Sequence, residues 1–143
     1  MLRDLLRRGA SETGSVAIEF ALTLPILLAI TFGTVGFGLY MSARLTLEQV
    51  AGEAARASVA GLDEDERSAL AEAAVADRLA AYGGVVNPDL VSVDVGADPG
   101  DSDRFRVILT YDVGGLGIGA FSAFVPLPDL TISAGAIVAN GGT

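Results

Sequence analysis

One feature dominates what this chain can become. Residues 20–43 carry no charged side chain, and between residues 15 and 43 the only formal charge is Glu19. Wound as a helix, a run of that length reaches roughly 36 Å, enough to cross a hydrocarbon core of about 30 Å. Core helices of soluble domains are rarely so apolar for so long. Composition points the same way. The chain has 143 residues, of which 51% are hydrophobic, and a soluble domain of this size would usually be more polar. A single membrane span is therefore expected.

Its flanks set the orientation. Arg3, Arg7 and Arg8 precede the span on a short N-terminus. Beyond it the first cations, Arg44 and Arg56, are interspersed with Glu48 and Glu53. The positive-inside rule then places the N-terminus in the cytoplasm and exports the rest. Three segments follow: a leader over 1–14, a transmembrane helix over 15–43, and an exported stalk and head over 44–143.

The helix is expected to outlast the membrane and run over about 16–59. Gly33, Gly36, Tyr40, Ala43, Leu47, Val50, Ala54 and Ala57 recur at three- and four-residue steps, which places them on one helical face. Gly33, Gly36 and Gly38 are candidates for close packing against another membrane helix, and Leu47 and Val50 for burial higher up. Arg44 with Glu48, and Glu53 with Arg56, are spaced for ion pairs along the outer face. Pro25 is a candidate kink.

Gly61 marks the end of that helix. Asp63 can cap a second one, with Glu66 three residues on, and Gly83 and Gly84 stop it after about Ala81. The period then changes to two. Val91, Val93 and Val95 alternate with Ser92, Asp94 and Gly96; Phe105, Val107, Leu109 and Tyr111 alternate with Arg106, Ile108 and Thr110; and Ile132, Ala134, Ala136 and Val138 alternate with Thr131, Ser133, Gly135 and Ile137. Alternation of this kind reads as strands. Pro99-Gly100 is a tight turn between the first two. Residues 114–129 form a Gly- and Pro-punctuated loop containing Phe121, Phe124 and Val125. The fold class is α+β: a long N-terminal helix, a second helix, and a small three-stranded antiparallel sheet.

Several functions are excluded or unsupported. The chain lacks cysteine and histidine, which removes disulfides, the usual zinc sites and every Ser-His or Cys-His nucleophile pair. Net charge is −9, and the nine cations, all arginine, form no long run. Nucleic-acid binding needs clustered positive charge. Asp98, Asp101 and Asp103 lack the order of a calcium loop and read as a solvated turn. Gly115, Gly117 and Gly119 do not link a strand to a helix, so they are no nucleotide fingerprint. No enzyme, cofactor, metal or small-molecule substrate is expected.

The chemistry-bearing stretch is Gly14-Ser15-Val16-Ala17-Ile18-Glu19-Phe20. A basic leader ends in Gly, and an apolar helix follows, interrupted by Glu at its fifth position. This resembles the type IV prepilin processing site, where a membrane aspartyl peptidase cuts after the Gly. A glycine presents an unencumbered backbone to a protease, and a carboxylate so close to lipid is costly unless paired or near the interface.

The longer string over 14–38, with Glu19-Phe20, Leu24-Pro25 and Gly36-Phe37-Gly38, resembles the TadE-like family of tight-adherence pseudopilins. The likeness continues through Arg44, Gln49, Ala54, Ala55 and Arg56, and loosely into the strand-loop-strand ending. The resemblance implies a minor pilin or pseudopilin of the bacterial cytoplasmic membrane, cut between Gly14 and Ser15 by a prepilin peptidase. Its partners would be other subunits of a Flp-type pilus used in adhesion or secretion. Glu19 would pair with the new Ser15 ammonium of a neighbour, or reach the interface on its own. Three rivals stand beside this reading. They are an uncleaved single-pass protein with a small periplasmic binding domain, a secreted protein with a conventional signal peptide, and an enzyme working through carboxylates alone. The apolar run exceeds a typical signal-peptide core.

Overall fold

The computed structural model describes residues 2–116 and 131–139, with side chains described over 14–114 and 131–139. Helix α1 spans Leu2–Ser58, and α2 spans Glu64–Ala81. A single 3-10 turn at Pro88–Leu90 leads into β1, Val91–Asp98, and then β2, Asp101–Asp112, follows across a tight turn. A second 3-10 turn covers Val113–Leu116, and β3 is Thr131–Ala139. The strands form one antiparallel sheet in the order β1-β2-β3, so the α+β architecture expected from the change of period is the one observed.

α1 begins at Leu2, earlier than the apolar pattern requires. The leader is rich in Leu and Arg, which propagate a helix readily once an adjoining segment has nucleated it. The 57 residues of α1 would extend roughly 85 Å. Pro25 lies inside it and cannot donate to the carbonyl of Ala21. Three hydroxyls fold back on the helix in this region: Thr23, Thr31 and Thr34 donate to the carbonyls of Glu19, Leu27 and Ile30, each at 2.8 Å. In lipid that is where a hydroxyl finds a partner without water.

The end of α1 is tight. The amides of Val59, Ala60 and Gly61 donate to Arg56, Ala57 and Ser58 carbonyls, and the buried Ser58 hydroxyl donates to the Ala55 carbonyl at 2.8 Å. Gly61 is required for space. A Cβ there would lie 2.7 Å from the backbone nitrogen and Cγ of Arg67, whose Nε donates to the Gly61 carbonyl at 3.0 Å. Asp63 caps α2, accepting from the Glu66 amide at 2.8 Å. The Glu66 carboxylate reaches back to the Leu62 amide, also at 2.8 Å, one residue before the reciprocal bond of an ideal capping box.

One face of the sheet packs on both helices. Phe105, Val107, Leu109 and Tyr111 of β2 are buried, with Ile132 and Ala134 of β3. They meet Ala43, Leu47, Val50 and Ala54 of α1 and, through Ala51, Ala55 and Ala71, the α1–α2 contact. Alanine at that contact lets the helices approach closely. α2 adds Val75 and Leu79. The Tyr111 hydroxyl accepts from the Asn87 amide at 3.3 Å, which satisfies the polar end of the largest fully buried side chain. At the turn, Asp98 accepts from the Gly100 amide at 3.0 Å.

Candidate functional site

The candidate processing boundary lies inside α1. Gly14 sits in open space, and a Cβ built there would meet nothing within 4 Å. It is flanked by Thr13 and Ser15, neither a strong helix former, and glycine itself is about 1 kcal/mol less favourable than alanine in a helix. Opening the backbone here is therefore cheaper than at the leucines that follow. Ser15 and Glu19 stand one turn apart on the same face, both exposed, with the Ser15 hydroxyl 3.5 Å from a Glu19 carboxylate oxygen.

Apart from Glu19, the helix from Val16 onward presents apolar side chains on every side. Val16, Ile18, Phe20, Leu22, Ile26, Leu27, Ile30, Val35, Phe37 and Leu39 are all exposed. Within Gly14–Ser58, α1 has the length and composition to cross a membrane, and the other described residues leave its most apolar stretch uncovered. Such an array in water would be strongly unfavourable. Just past the uncharged run, the exposed Arg44 Nε meets Glu48 at 3.0 Å. The hydrogen bond and charge of Glu48 hold the Arg44 guanidinium above its ordinary pKa.

The structure separates the residues grouped as a packing stripe. Leu47 and Val50 are fully buried in the head's core. Gly36 is buried and Gly33 half-buried on the same face. Gly38 stands apart, exposed and with nothing within 4 Å of a Cβ. Two positions further along a helix is about 200° around it, so Gly36 and Gly38 do not share a face. The open small-residue line is Thr34, Gly38 and Ser42, at four-residue spacing and all exposed.

Partner choice along the stalk also differs from the spacing argument. Glu53 turns to Arg78 of α2 rather than to Arg56, because Glu53 is half-buried on the side where α2 packs. Sequence spacing offered no sign of that pair, nor of the bond from the Ala97 amide to Glu64 at 3.2 Å, which ties the start of α2 to the end of β1. Of the aspartates near the turn, Asp101 accepts from the Asp103 amide at 3.0 Å and pairs with Arg104 at 3.1 Å. Among the described residues no group of three acidic side chains is placed to hold a metal ion. The Gly117 and Gly119 positions and the loop aromatics Phe121 and Phe124 lie outside the described residues.

No curated protein and no solved structure matches the chain significantly. A single apolar helix of this kind is consistent with a membrane-anchored protein. Residues 14–56, the anchor and stalk just described, match the model of the family described as TadE-like protein, a family of structural proteins associated with the Tad pilus.

Proposed function

We propose that this chain is a minor pilin or pseudopilin, cut between Gly14 and Ser15 by a prepilin peptidase and used in assembling a Flp-type pilus. The observation that carries the reading is where the family match begins. It opens at Gly14, the residue that ends the basic leader and precedes the apolar run. The rest of the reading is physical. The leader stays in the cytoplasm with its arginines, the span anchors the chain, and the α+β head is exported. Glu19 then lies near the cytoplasmic face of the membrane, where it can pair with the new Ser15 ammonium of a neighbouring subunit. Opposite charges that close in a poorly hydrated layer attract far more than in water. The face open to another membrane helix is that of Thr34, Gly38 and Ser42, where close backbone approach rather than hydrophobicity drives association.

The test is genetic. In the bacterium that carries it, deletion of this chain should abolish surface pili, as seen by electron microscopy. Wild-type protein should restore them and Gly14→Leu should not. Full restoration by Gly14→Leu would favour an uncleaved anchor with a periplasmic binding head.

A further inference from the structure

The head carries a groove that no role proposed so far uses. It lies between α2 and β1 and has a volume of about 380 Å³. Val75 and Leu79 form its floor, with Pro88, Val91 and Val93 along the strand side and Glu72 at its rim. Val93 is exposed although it belongs to the apolar side of its strand. β1 is also an edge: among the described residues it pairs only with β2. Two of its outer amides are already held, that of Val91 by the Pro88 carbonyl and that of Ala97 by Glu64; the stretch between them, at Val93 and Val95, is left to accept another strand, whose side chains would alternate into the groove.

Charge decides what fits. Residues 59–143 hold thirteen of the eighteen acidic residues and only four of the nine arginines. Each of those four is already engaged: Arg67 with the Gly61 carbonyl, Arg78 with Glu53, Arg104 with Asp101 and Arg106 with Asp94. The carboxylates of Glu72 and of Asp89, which follows Pro88, are exposed and have no partner among the described residues. A second copy would bring a like-charged head to this rim. We infer that the α2–β1 groove docks an extended, basic-flanked apolar segment of a different protein, added as a fourth strand on β1. Among pilus components this would be a basic subunit; that identification rests on the pilus reading, whereas the groove's chemistry does not.

The experiment uses the full chain in nanodiscs and a fluorescent peptide of alternating valine and threonine with arginine at both ends. A glutamate-ended version serves as control. Anisotropy should show saturable binding of the arginine peptide, at least about tenfold tighter than the control and weakened about tenfold between low and high salt. Glu72→Gln should weaken it several-fold at unchanged melting temperature, and Val93→Asp should abolish it. Hydrogen exchange on the wild-type chain should show new protection in β1 and none in β3, which reads strand addition without any substitution. Equal binding of both peptides, protection confined to β3, or tighter binding of a labelled second copy at the same groove would overturn the proposal. Cleavage at Gly14 is a separate readout, so loss of peptide binding leaves the pilus reading standing, and loss of cleavage leaves the groove.

Discussion

At the scale of single residues, glycine positions do three different things. Gly14 is open, so Gly14→Leu asks a question about the peptidase and not about the fold. Precursor should accumulate uncut on a blot while the head remains as stable as wild type. Gly61 is the opposite case. A Cβ there would stand 2.7 Å from the backbone of α2, and backbone cannot rotate away. Gly61→Ala should destabilise the head by about 1–3 kcal/mol in a denaturant titration. Gly135 of β3 is intermediate: a Cβ would come 3.4 Å from the Val107 carbonyl and 3.5 Å from the Ile108 side chain. The cap at Asp63 was legible from sequence because it depends on neighbours three residues away. Removing it, Asp63→Ala, should cost about 0.5–2 kcal/mol in the same titration. The reason for Gly61 was not legible, since it depends on where Arg67 arrives after the chain has turned.

Elements show the same division between local and distant causes. The strands were visible because an apolar residue recurs at every second position through most of each, and the observed burial follows Phe105, Val107, Leu109 and Tyr111. The stalk stripe was visible for the same kind of reason at helical period. Leu47 and Val50 are fully buried, and Leu47→Ala should cost about 2–5 kcal/mol and lower the protein's abundance. Three things escaped. The leader's helix lies outside the apolar pattern. Glu53 chooses Arg78 only because α2 lies alongside. Gly38 was grouped with Gly33 and Gly36 by residue type, although two steps along a helix carries it to the other side. That placement moves the expected contact with a second membrane helix to Thr34, Gly38 and Ser42. Gly38→Leu should reduce cysteine crosslinking to other pilus subunits at neighbouring positions, with cleavage and head stability unchanged. Normal crosslinking would mean that glycine is merely tolerated there.

The whole molecule divides its properties along its length. The apolar surface belongs to the lower part of α1, the packed core to the stalk and sheet, and the net negative charge to residues 59–143. An anchor with a charged, exported head follows if the arginine asymmetry sets orientation. A phosphatase fused after Thr143 should then be active, and a reporter that needs the cytoplasm should be silent at the same place. Reversal of that pattern would remove the pilin reading together with the orientation. The central claim, processing at the boundary where the family match opens, is tested most directly by intact-mass spectrometry of the protein extracted from the membrane of the bacterium that makes it. The expected mass lacks residues 1–14, with Ser15 at the N-terminus. A mass that retains Met1, or that begins beyond Leu39, would contradict it.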